Sequence, residues 1–117
     1  MKIAVSTHGE GPGSSFSSRF ARCKYFVVFD SETERWASLD NPAGNSSGGA
    51  GPRAVQFLAD HQVEAVISGR YGPQAFQALQ AAGIKPFTGR EGTPQQLIER
   101  WKTGKLEQGT ASASGYH

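Results

Sequence analysis

Gly51-Pro52-Arg53-Ala54-Val55-Gln56-Phe57-Leu58 returns further along the chain as Gly72-Pro73-Gln74-Ala75-Phe76-Gln77-Ala78-Leu79, and Val63 after the first copy is matched by Ile84 after the second. Each copy opens a helix with Gly-Pro, because proline at the first helical position gives up an amide that has no intrahelical partner. Ala54, Phe57 and Leu58, like Ala75, Ala78 and Leu79, fall at i, i+3, i+4 spacing, so each helix has one apolar face. A strand follows each helix, Ala65 to Ser68 and then Lys85 to Thr88, and Gly83-Ile84 has the form of a glycine cap with its hydrophobic contact. Two helix–strand units in succession require parallel strands with right-handed crossovers. The repeat therefore decides an α/β fold.

Upstream of the repeat, Ile3 to Ser6 reads as a short buried strand. A polar stretch from Thr7 to Lys24 leads to Tyr25-Phe26-Val27-Val28-Phe29-Asp30, whose aromatic and β-branched residues favour a strand. Ser31 to Thr33 turn the chain, Arg35 to Leu39 return in alternating style, and Asn41 to Gly51 form a loop. Downstream, Thr93 and Gln96 form a capping box for a third helix with Leu97, Ile98 and Trp101 inward. The expectation is a single domain over residues 1–106, built on a mixed five-stranded sheet in which only Tyr25–Asp30 runs antiparallel, with three helices. Residues 107–117, with little to bury, are expected to be a flexible tail.

The chain has 117 residues, enough for one core, and a net charge of +2 without any Lys/Arg run, which argues against a nucleic-acid partner. The apolar run Ile3–Val5 is too short for a membrane span or signal peptide, so no membrane partner is expected. One cysteine excludes an internal disulfide framework and suits a reducing compartment, so the chain is read as cytoplasmic.

Following the strands up and down gathers the Thr7–Lys24 loop, the Asn41–Gly51 loop, Gly69-Arg70, Gly89-Arg90 and three helix N-termini at one edge. Ligands of open α/β sheets bind beyond the carboxyl ends of the strands. Helix N-termini add unpaired amides and partial positive charge, and Arg19, Arg22, Arg53, Arg70 and Arg90 belong to the same edge. An anion is the expected ligand. Gly49 and Gly51 would let amides approach it closely, although Gly48-Gly49-Ala50-Gly51 is also the composition of a plain flexible connection.

Cys23 lies between Arg22 and Lys24, which would favour the metal-ligating thiolate; the bland alternative is a small buried hydrophobe. His8, at the end of the first strand, offers a nitrogen ligand or is simply solvated. Arg70 and Arg90, repeated at equivalent strand ends, would offset the charge of the anion, or be solvated loop cations. His61 falls at the far edge, and His117 ends the tail, where it could reach over the site or belong to a disordered terminus. Gly9 to Ser14 lacks the third glycine of a dinucleotide fingerprint, and Gly104-Lys105 lacks the rest of a phosphate loop. No nucleophile–base–acid arrangement is evident, so a binding protein is expected rather than an enzyme.

Arg19-Phe20-Ala21-Arg22-Cys23-Lys24-Tyr25-Phe26 resembles the Arg-Phe-Gly-Arg-Cys-x-Tyr-Phe signature of the dinitrogenase iron–molybdenum cofactor biosynthesis family, with Ala21 in place of glycine. Met1-Lys2-Ile3-Ala4-Val5, Gly48 to Gly51, Gly72-Pro73, Ala75-Phe76, Ala82-Gly83-Ile84 and Gly104-Lys105-Leu106 follow in the family's order. The resemblance implies a ribonuclease-H-like fold without nuclease activity. It also implies carriage of a metal–sulfur cluster, of iron–molybdenum precursor or molybdenum–copper sulfide type, with cofactor-assembly or acceptor proteins as partners. The competing reading is a binding or regulatory domain for a small phosphorylated metabolite at the same helix N-termini.

Overall fold

The computed structural model describes residues 1–111. Its elements are β1 (Lys2–Thr7), β2 (Tyr25–Asp30), β3 (Arg35–Asp40), α1 (Ala50–Asp60), β4 (Val63–Ser68), α2 (Pro73–Ala82), β5 (Lys85–Thr88), α3 (Pro94–Lys102) and β6 (Glu107–Gln108). The sheet order is β3-β2-β1-β4-β5-β6. β1, β4 and β5 pair in parallel, as the repeat requires, and β2 is antiparallel to both β1 and β3. This is the ribonuclease-H-like arrangement that the resemblance implies, with one strand more.

The central strands are buried on both faces, which is why they read as continuous apolar runs. Ala4, Phe26, Val28 and Val66 face Ala54, Leu58, Ala75 and Leu79 of α1 and α2. Ile3, Val5, Phe29, Ala65 and Ile67 face Leu97 and Ile98 of α3. Two helices thus cover one face and one helix the other. Among the described residues no helix is long and apolar enough to cross a membrane.

Two details differ from the sequence reading. Residues 107–111 are not a free tail: β6 pairs antiparallel with β5, and Ala111 bridges Tyr71. Gly109 donates its amide to Pro86 O at 2.9 Å, and a Cβ there would meet Tyr71 Cε2 at 2.7 Å. Backbone pairing holds this strand, and a two-residue polar strand has no hydrophobic period to betray it. Residues 112–117, including His117, lie outside the described residues. Second, α1 begins at Ala50 rather than at Pro52. Ala50 is buried in the core, and a first-turn proline sacrifices no intrahelical bond wherever in that turn it falls.

The Thr7–Lys24 segment divides between the two faces. Its first half folds back through a Thr7–Phe16 bridge, with Gly11 N donating to Ser38 Oγ at 2.8 Å and Gln95 N donating to Pro12 O at 3.1 Å, and so lies on the α3 side. Its second half crosses the top of the sheet, where Arg70 N donates to Ser18 O at 2.8 Å. Gly69 is required there, because a Cβ would fall 2.9 Å from the Ser18 backbone. Beneath this crossing Ser6 Oγ donates to Ser17 O at 2.6 Å and pairs with Ser68 Oγ at 2.7 Å, so these buried hydroxyls are satisfied.

Candidate functional site

Of the three helix N-termini expected to serve one ligand, the structure brings two together. Gly51, in the first turn of α1, faces Ala75, in the first turn of α2; a Cβ on Gly51 would lie 2.9 Å from Ala75 Cβ and 3.2 Å from its amide nitrogen. Neither helix has a side-chain cap or an acidic residue in its first turn. Their internal ladders begin with Arg53 N to Gly49 O at 3.1 Å and Phe76 N to Gly72 O at 2.9 Å. The amides of Ala50, Gly51, Gln74 and Ala75 therefore precede both ladders, and two partial positive charges sit side by side.

The third terminus is closed. Thr93 and Gln96 make the full capping box expected of α3, and Pro12 O accepts from Gln95 N. Arg90 is exposed in the lead into this capped helix, next to Gly89, where an added Cβ would meet Leu97 and Ile67 of the α3-side core. An open depression of about 840 Å³ lies along α3, but Glu91 and Glu99 line it and make it a poor place for an anion.

Cations gather around the open pair. Arg22 donates through Nη1 to the carbonyl oxygen of Ser46, and Arg53 donates through Nη1 to Ser46 Oγ at 2.8 Å. Arg19 and Arg70 are set abreast by a parallel bridge just before α2. All four are exposed. Among the described residues the one ion pair joins the Met1 amino group to Glu32 at 3.8 Å, so no carboxylate neutralises these guanidiniums.

The two glycines have backbone duties here. Gly49 caps α1 at φ 66°, a left-handed conformation that favours glycine, and Gly51 allows the close α1–α2 approach.

Cys23 departs from the thiolate expectation. It is 1% exposed and packs in the same core as Ala43, Ala50 and Phe20, beneath the loop that precedes α1. Burial pushes its thiol up to about 12, against smaller opposing hydrogen bonds from the Thr7 backbone and Asn41. Sγ donates to Phe20 O at 3.3 Å, while Asn41 Nδ2 donates to Cys23 O at 2.9 Å. Arg22 and Lys24 are exposed on either side, and Lys24 lays its ammonium over the Tyr25 ring. Neither flanking cation is among the groups that shift the thiol.

His8 is exposed at the base of the folded-back loop, held through its backbone N to Ser15 O at 2.9 Å. No hydrogen bond joins it to Cys23 among the described residues, nor is there a group of three or more His, Cys, Asp or Glu placed to hold a metal ion. The donors that do converge are hard ones, amides and guanidiniums. Sequence reasoning put Arg53 at this edge without a role and passed over Ser46, a serine in a Gly/Ser loop with nothing local to mark it.

The fold and this edge define a small α/β binding domain. The chain belongs to the dinitrogenase iron-molybdenum cofactor family, whose model matches residues 1–104. It is similar to the apo form of the orange protein from Desulfovibrio gigas, at 38% identity and a TM-score of 0.86, covering 96% of this chain and 92% of that one. A Thermotoga protein provisionally labelled NifB matches at 34% identity and a TM-score of 0.82, with coverage of 92% and 91%. An uncharacterized protein of Methanocaldococcus jannaschii is 26% identical over 110 residues, 92% of this chain and 90% of that one.

Proposed function

We propose that the chain is a non-catalytic carrier of an anionic metal–sulfur cluster, of iron–molybdenum precursor or molybdenum–copper sulfide type. The observation that carries this reading is the meeting of the α1 and α2 N-termini at Gly51 and Ala75, ringed by Arg19, Arg22, Arg53 and Arg70, which have no carboxylate partner among the described residues. Amides would donate to the anion's outer sulfur or oxygen atoms, and guanidiniums would offset its charge. Of the residues singled out from sequence, Arg22, Arg70, Gly49 and Gly51 have places in this cradle. Cys23 supports its floor, and His8 and Arg90 lie outside it. Outer-sphere binding of this kind is reversible, as a carrier requires. The relative from D. gigas, named the orange protein and described in its apo form, supports the reading.

The cargo would pass between cofactor-assembly and acceptor proteins, and a sole cysteine, free and buried, agrees with a cytoplasmic setting. Hard donors alone also suit a phosphoryl group, which keeps a phosphorylated metabolite as the second reading. Purification from the native host without oxygen, followed by absorption spectroscopy and elemental analysis, separates the two. Visible bands with co-eluting molybdenum and sulfide support the carrier; a colourless, metal-free protein carrying phosphate supports the alternative.

A further inference from the structure

The geometry points to Ser46 as a positioning residue for the anion site: it holds the Arg53 guanidinium through its hydroxyl and the Arg22 guanidinium through its carbonyl, fixing both cations beside the α1 N-terminus before any ligand arrives. The inference rests on the carrier reading and deepens it by naming what organises the cradle.

Arg22 and Arg53 come from distant parts of the chain, one after the crossing segment and one in the first turn of α1, yet they converge on one residue of the Asn41–Gly49 loop. Both are exposed and neither has an ion pair among the described residues. A long exposed side chain left free loses much rotamer freedom when it binds, which weakens binding. A guanidinium has five N–H donors in a fixed fork, so one bond to Ser46 orients it and leaves donors for an anion. The loop is itself anchored: Asn41 Nδ2 donates to Ala21 O at 3.1 Å and to Cys23 O at 2.9 Å, and Ser46 N donates to Ala43 O at 3.0 Å. Ser46 is thus a fixed point from which two mobile cations are aimed.

The two contacts differ in a way that makes the role testable. Replacing Ser46 by alanine removes the hydroxyl that holds Arg53 but keeps the carbonyl that holds Arg22. Binding of tetrathiomolybdate, a soft tetrahedral dianion, would be measured by titration for the full chain and its variants, with melting temperature as a check on folding. Arg22→Ala and Arg53→Ala should each weaken binding about tenfold, and Ser46→Ala about threefold. Ser46→Ala combined with Arg53→Ala should be no weaker than Arg53→Ala alone, whereas its effect should multiply with that of Arg22→Ala. Ser46→Thr, which keeps a hydroxyl, should restore parental binding. A general disturbance of the loop would instead give equal coupling to both arginines and no rescue, and would overturn the positioning role. Parental affinity in the Arg22→Ala and Arg53→Ala variants, or no binding by the parent, would overturn the carrier reading and this inference with it.

Discussion

Gly51 and Ala75 lie so close that a methyl group on the glycine would sit 2.9 Å from the Ala75 Cβ. This contact sets the spacing of the two helix N-termini, and hence the width of the cradle. Gly51→Ala should push α1 and α2 apart, with an overpacking cost of about 1–3 kcal/mol in urea denaturation and weaker binding of tetrathiomolybdate. Unchanged stability and affinity would show that the helices separate at no cost and that the cradle does not depend on their contact.

The Cys23 thiol is held up to about 12 in the folded chain against 9.0 for a free thiol. The unfolded chain therefore loses this proton first as pH rises, so stability is whole below pH 9 and falls between 9 and about 12. The slope is about 1.4 kcal/mol per pH unit for one such group. Tyr71, whose phenol burial also pushes up from 10.0, adds to the fall from about pH 10. Urea denaturation between pH 9 and 10 should show the decline in the parent and lose it in Cys23→Ser. The same burial should leave the native thiol nearly unreactive to a disulfide reagent near pH 8 and fully reactive in urea.

Gly109 packs against Tyr71 and Pro86, with the Tyr71 hydroxyl donating to Phe87 O at 2.7 Å beneath it. Gly109→Ala should displace the β6 segment and lower stability by about 1–2 kcal/mol. A melting temperature equal to the parent's would mean that residues 107–111 contribute little to the fold.

Because the proposed cradle is built from exposed cations, raising salt from about 0.05 to 0.5 M should weaken anion binding in the parent several-fold. Arg22→Ala combined with Arg53→Ala should flatten that dependence. Salt dependence equal to the parent's would place the anion elsewhere.

The parallel core was legible because the Gly51 and Gly72 repeats carry helical periodicity and each ends in a strand. The capping box at Thr93 and the glycine cap at Gly83 were legible because local side-chain chemistry specifies them. β6 was not, since Glu107 and Gln108 are held by backbone pairing alone. The setting of Cys23 was misread from its charged neighbours. Charged neighbours do not fix where a side chain points in irregular chain: Cys23 lies just before β2 and is buried with Phe20 and Phe26, while Arg22 and Lys24 stay exposed. The Ser46 clasp joins residues far apart in sequence and could not be seen before the fold was known.

The most direct measurement of the central claim is the metal and sulfide content of protein isolated anaerobically from its own host, taken for the parent, Cys23→Ser, and Arg22→Ala combined with Arg53→Ala. An electrostatic cradle over a buried thiol should give molybdenum and sulfide in the parent and in Cys23→Ser, with most of both lost from the double arginine variant. Loss of the cluster from a folded Cys23→Ser protein, with full loading in the arginine variant, would contradict it and make the thiolate the anchor.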